Sequence, residues 1–158
     1  MMHASLSGQL GDRSLAPVGM HCILELYDCP ANLLNDLEYI QQTLRTAAEK
    51  ACSTLLGEVA HQFNPHGVTA LALLAESHIS VHTWPELGYV AADVFTCGTH
   101  TQPETACVFM ITAFQAEHHC LYSLPRRPEG SAAESADSTP SVTTADAEGE
   151  PMMIGRGS

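Results

Sequence analysis

Basic residues are scarce in this chain: six Lys and Arg stand against 18 Asp and Glu in 158 residues, for a net charge of −12. A surface of that sign repels nucleic-acid phosphates and anionic lipid heads, so neither nucleic acid nor membrane is expected as a partner. The acidity is not a property of one end. Residues 1–125 carry 12 acids against Arg13, Arg45 and Lys50, and the last 33 residues carry six acids against three arginines. An acidic folded part is compatible with a cationic small substrate, and solubility alone also accounts for it. Other features are missing. No run approaches the roughly 18 apolar residues of a membrane span. The opening "MMHASLSGQLGDRS" lacks the basic-then-apolar layout of a secretory leader, so a cytoplasmic protein is expected. Cys22, Cys29, Cys52, Cys97, Cys107 and Cys120 include no C-x-x-C pair, which reads as reduced thiols rather than a disulfide frame.

What remains is ordinary globular material, 45% hydrophobic and 15% charged, of a length suited to one domain. Residues 1–17 read as a flexible arm. "GMHCILELYDC" alternates as a strand until Cys29-Pro30 breaks it. From Ala31 to about Ser53, Leu34, Leu37, Ile40 (or Tyr39), Leu44, Ala47, Ala48 and Ala51 recur at three- and four-residue steps, a helix that restarts at Asp36. Strands are expected over Thr54–Phe63, over Val68–Glu76 after the turn "NPHG", over His78–Trp84 and over Tyr89–Cys97. A second helix runs from Glu104 to about Gln115, with Pro103 suited to its first turn, and "HHCLYSL" reads as a last edge strand. After Pro125 the composition turns to Ser, Thr, Ala, Glu and Pro, so 126–158 is expected as a disordered acidic tail. The order implies an α+β fold, with helices packed on one face of an antiparallel sheet.

The stretch "LLAESHISVHTWPE", Leu73 to Glu86, places Glu76, Ser77, His78, Ser80 and His82 within an apolar, β-branched run. Buried strands hold such groups only when each is partnered. Three chemistries compete for them. His78, His82 and Glu86 would line one face of a helix as metal ligands, but Ile79, Val81 and Thr83 favour a strand and Pro85 breaks the last turn. A hydrolase triad lacks the G-x-S-x-G elbow around Ser77. The third is self-cleavage. A serine hydroxyl held against the preceding carbonyl converts amide to ester, and β-elimination then releases a new C-terminus and leaves a dehydroalanine that hydrolyses to a pyruvoyl group. It needs a tightly held serine and groups that stabilise an oxyanion and move protons.

Residues Gly57 to Gly98, "GEVAHQFNPHGVTALALLAESHISVHTWPELGYVAADVFTCG", closely resemble the short-chain S-adenosylmethionine decarboxylase proenzymes of bacteria and archaea. The resemblance extends more loosely from about Gly19 to Leu124, and the tail has no counterpart in it. It implies a decarboxylase domain over 18–125, cleaved between Glu76 and Ser77 into a β chain of 1–76 and an α chain of 77–158. Ser77 becomes the pyruvoyl cofactor, which forms a Schiff base with the substrate amine in place of pyridoxal phosphate; no metal is implied. His82 matches the histidine that abstracts the proton for elimination. Thr69 stands where a serine usually aids the acyl shift. Cys97 matches the proton donor to the decarboxylated carbon, Glu86 the carboxylate that binds the ribose hydroxyls, and Phe63 the aromatic that stacks on adenine. The implied protein is an α+β sandwich associating as an (αβ)2 homodimer, two-layered as a protomer and four-layered as a dimer. It would supply the aminopropyl donor for spermidine synthesis. Arginine or ornithine as substrate, a non-catalytic regulatory paralogue, and a metal-storage protein are the rival readings. An unbroken strand would put Ser77 and His82, five apart, on opposite faces, so a bulge or turn is expected between them.

Overall fold

A computed structural model describes residues 17–128 and 141–146. Seven strands form one antiparallel sheet in the order β2-β3-β4-β5-β1-β6-β7. They are β1 Gly19–Tyr27, β2 Leu55–Gln62, β3 Val68–Leu74, β4 Ser77–Trp84, β5 Tyr89–Cys97, β6 His118–Arg126 and β7 Ser141–Asp146. Period-two alternation decides which side chains go in. Cys22, Leu24 and Leu26 of β1, Ala70, Ala72 and Leu74 of β3, Ile79 and Val81 of β4, and Val90, Ala92 and Val94 of β5 are all buried on one face.

That face is covered by helices. The segment expected as one helix that restarts is two: α1, Ala31–Leu34, and α2, Leu37–Lys50. Asp36 starts the second by accepting the Tyr39 N–H at 3.0 Å. Ile40, Leu44, Ala47 and Ala48 form the buried stripe of α2. In α3, Pro103–Ala113, Ala106, Cys107 and Met110 do the same, with Phe114 fully buried just beyond. The small alanines on both α2 and the sheet let helix and strands approach closely.

Two expectations are corrected. Within the stretch 126–158, read as a disordered tail, Ser141–Asp146 pairs with β6 from Ser123↔Ser141 to His118↔Asp146. Its core, "SVTTA", is rich in β-branched residues, and β6 offers an open row of backbone donors and acceptors. The rest of 129–158, and the expected arm up to residue 16, lie outside the described residues. The bulge expected between Ser77 and His82 is not there. β4 pairs with β3 from Leu74↔Ser77 to Thr69↔His82, and with β5 from Ser77↔Thr96 to Trp84↔Tyr89, without a shift of register. A central strand hydrogen-bonded on both sides has no room for an extra residue on one of them.

Thr83 ties this strand to the helical layer: its hydroxyl donates to the Leu34 carbonyl at 2.7 Å and accepts the Val68 N–H at 2.9 Å. The side chain is buried. Thr83→Val keeps the shape and strands two polar groups. It should cost about 1–3 kcal/mol in chemical denaturation, and Thr83→Ser, which keeps the hydroxyl, should cost less.

Candidate active site

Leu74 pairs with Ser77, so only Ala75 and Glu76 turn the chain from β3 into β4. The turn is held from both sides. The Ala75 N–H donates to the Thr54 carbonyl at 2.9 Å. The Glu76 carboxylate accepts the Thr54 N–H at 2.8 Å and the Thr54 hydroxyl at 3.3 Å, and His100 Nε2 lies 3.4 Å from it. The Thr54 N–H, above all, holds the Glu76 carboxyl below the usual carboxylate range. The main-chain carbonyl of Glu76 accepts the Cys97 N–H at 2.9 Å. Ser77 follows with φ of 147°. A residue with a Cβ seldom adopts that value, and holding it there costs on the order of 1–3 kcal/mol. Its hydroxyl lies 3.2 Å from His78 Nδ1. Thus the carbonyl before Ser77 is polarised by a fixed donor, and the hydroxyl after it sits beside an imidazole nitrogen.

Cys97 ends β5 one position past Thr96, the partner of Ser77, and alternation turns it to the face away from the helices. Its thiol is half-buried, unlike those of Cys22, Cys29 and Cys107 in the core, and all six cysteines are free. Gly19 pairs with it across the ladder; a Cβ there would lie 3.1 Å from the Cys97 sulfur and 2.9 Å from the Thr96 carbonyl oxygen. The absence of a side chain at Gly19 is what gives the thiol its space.

The other residues singled out from the sequence gather at the far end of β4. Phe63, His66, Thr69, His82, Trp84 and Glu86 line an open cleft of about 310 Å³. Thr69 pairs with His82 across β3 and β4, and its hydroxyl lies 2.9 Å from His82 Nδ1. Glu86 sits on a 3-10 turn, Pro85–Leu87, and its carboxylate is 3.0 Å from His66 Nε2. Phe63 is placed by the turn beyond it: its N–H donates to the Gly67 carbonyl at 2.8 Å, and Gly67 has φ of 99°, a conformation that favours glycine. The Phe63 ring is half exposed.

The fold therefore makes two clusters rather than one. Ser77, Glu76 and Cys97 stand at one end of β4, and Phe63, Thr69, His82 and Glu86 at the other. Five residues of extended strand separate Ser77 from His82 by roughly 16 Å. Within one chain His82 does not reach Ser77. Sequence reasoning gave no part to Thr54, His66, Trp84 or His100. Thr54 is 22 residues from Glu76 along the chain, and only the pairing of β2 with β3 brings them together. His78 stands beside Ser77 in the sequence, where its spacing suggests only a metal ligand. The metal reading of His78, His82 and Glu86 finds His82 bonded to Thr69 and Glu86 to His66. Elsewhere among the described residues, Asp28, Glu117 and His118 each bring one ligand atom within 4.8 Å of the others.

Because the Glu76 carboxyl is held below its ordinary value, its grip on Thr54 is complete above the ordinary carboxylate range and is lost only as pH falls through the lowered value. The Thr54 amide should therefore stay protected from hydrogen exchange through the range where exposed carboxylates protonate, and Glu76→Gln should remove that acid dependence.

A profile of the S-adenosylmethionine decarboxylase family matches residues 20–127. An S-adenosylmethionine decarboxylase proenzyme of Synechococcus sp. (strain WH7803) is 53% identical over 126 residues, covering 80% of this chain and 98% of the relative. A proenzyme of the same name from Prochlorococcus marinus (strain MIT 9313) is 56% identical over 109 residues, 69% of this chain and 87% of the relative. Among solved structures, the adenosylmethionine decarboxylase from Aquifex aeolicus VF5 superposes with a TM-score of 0.69 at 32% identity, covering 77% of this chain and all of that one. With both clusters inside the matched span, the chain belongs to the S-adenosylmethionine decarboxylase family.

Proposed function

We propose that the chain is a cytoplasmic, self-processing decarboxylase of S-adenosylmethionine, supplying an aminopropyl donor for spermidine synthesis, and that each active site is shared between two protomers. The observation that carries the second part is the separation of the two clusters on one continuous strand. By alternation Cys97 and His78 at one end, and Thr69 and His82 at the other, turn toward the sheet face that the described helices leave bare. That face carries exposed apolar side chains: Val59, Leu71, Leu73 and Trp84. A patch of this kind favours association. A two-fold axis between two such faces lays the Ser77 end of one β4 against the His82 end of the other, and does so twice. This is the (αβ)2 homodimer with four layers. The identities of the relatives favour S-adenosylmethionine over arginine or ornithine, and Ser77, His82 and Cys97 are all present, which a non-catalytic paralogue does not require.

Processing begins with attack of the Ser77 hydroxyl on the Glu76 carbonyl. The Cys97 N–H, already on that oxygen at 2.9 Å, steadies the charge that develops. The strained φ of Ser77 raises the starting state relative to the ester. The partner subunit's His82, oriented by its own Thr69, then takes the proton from the Ser77 Cα. The bond from Cβ to the ester oxygen breaks, and Glu76 leaves as a carboxylate. Water converts the remaining dehydroalanine to a pyruvoyl group with release of ammonia. Once formed, that group supplies the electron sink for loss of carbon dioxide from the substrate's amine-bearing carbon. Cys97 stands at the same end of the strand to return a proton to that carbon, as a thiol does readily. The cleft offers the half-exposed Phe63 ring for adenine and Glu86 for the ribose hydroxyls. Cleavage leaves the protein joined. Residues 1–76 supply β1 to β3 and residues 77–158 supply β4 to β7, and β1 sits between β5 and β6, so the two chains interleave in one sheet.

Ser77→Ala is expected to remain a single chain by intact mass. Cys97→Ala should still split but release carbon dioxide at least about 10²-fold more slowly, the ordinary size of a lost proton transfer. The shared site has a sharper test. Ser77→Ala and His82→Ala chains, each uncut alone, should complement when co-expressed: the mixed dimer holds one complete site, and the His82→Ala chain in it should be cut at residue 77. Failure of the mixed dimer to cut would overturn the two-protomer arrangement.

A further inference from the structure

The acyl shift needs a base for the Ser77 hydroxyl proton, and His82 is assigned to the later elimination. Ser77 Oγ lies 3.2 Å from His78 Nδ1, inside the reach expected of a general base, or close to it, before the reacting geometry tightens. The imidazole is held by more than the strand. Its ring meets Phe95 edge to face at 6.0 Å between centroids. His78 pairs with Phe95 on β5 and with Leu73 on β3 and lines an open apolar cleft with Val59 and Leu71. Next to it, the scissile carbonyl is fixed by the Cys97 N–H.

From this juxtaposition we infer that His78 is the catalytic base of the first processing step, acting within its own chain, so that processing uses two histidines in sequence: His78 for the acyl shift and the partner subunit's His82 for elimination. The inference deepens the self-processing reading above and rests on it. In the step, the hydroxyl proton passes from Ser77 Oγ to His78 Nδ1 as the bond from Oγ to the Glu76 carbonyl carbon forms. The proton then returns to the Ser77 nitrogen as the carbon–nitrogen bond breaks. Amide becomes ester with no net change in protons or electrons. The short reach explains why the residue directly after the serine is suited to the task. Its ring needs only the strained φ at Ser77 to bring the hydroxyl to its own side of the strand.

Hydroxylamine separates the two steps, because it splits an ester between residues 76 and 77 and leaves an amide intact. Wild-type protein should cut itself; if it does not, the self-processing reading fails before this one is tested. His82→Ala should accumulate the ester and be split by hydroxylamine. His78→Ala should cut itself about 10²–10⁴-fold more slowly than wild type, the range lost with a general base, and should resist hydroxylamine. The double variant His78→Ala/His82→Ala should resist it as well, although His82→Ala alone does not. Added imidazole should restore splitting to His78→Ala, which a purely structural defect would not allow. Wild-type cutting rates in His78→Ala, or ester accumulation in the double variant equal to that in His82→Ala, would overturn the assignment.

Discussion

Because β4 pairs along its whole length with β3 on one side and β5 on the other, its residues are held at the spacing of a fully extended chain. That constraint governs the site. It pins the Glu76 carbonyl against the Cys97 N–H, forces Ser77 into its strained conformation at the exit from a two-residue turn, and holds His82 a strand's length away. A looser strand would bring the histidine and the serine of one chain together, and would give up the strain at Ser77 and the fixed donor on the Glu76 carbonyl. The rigid ladder and the separation of the two clusters are two consequences of one pairing pattern.

The two faces of the sheet divide the work. Toward the helices, alanines and β-branched residues close a dry layer around Ile40, Leu44, Met110 and Phe114. Toward the bare face, polar groups are paired on the strands themselves: His21 with Asp93 at 2.9 Å, Ser80 with Asp93 at 3.2 Å, and Tyr89 with Glu25. Among the described residues, Val59, Leu71, Leu73 and Trp84 around them stay exposed.

Much of the architecture was legible because it rests on local periodicity. β5 runs over Tyr89–Cys97 as its alternation predicts, and Asp36 begins α2 by the ordinary chemistry of a capping carboxylate. The tail misled because composition reports the average of a segment, whereas Ser141–Asp146 finds its partner in the particular edge that β6 presents. The expected bulge failed for a related reason. It came from asking two residues of one chain to meet, and the ladder on both sides of β4 forbids it.

What the sequence by itself determined is the local chemistry: which residues form strands, which peptide bond carries the serine, and the family motif from Glu76 to Glu86. Those properties depend on neighbours along the chain or on a long contiguous match. The tertiary structure alone decided that Thr54 anchors Glu76, that Cys97 turns its N–H to the Glu76 carbonyl, that His78 is the histidine beside Ser77, and that Phe63, Thr69, His82 and Glu86 form a separate cleft. Each of these follows from strand register, and register is set by how whole faces pack rather than by any residue's immediate neighbours.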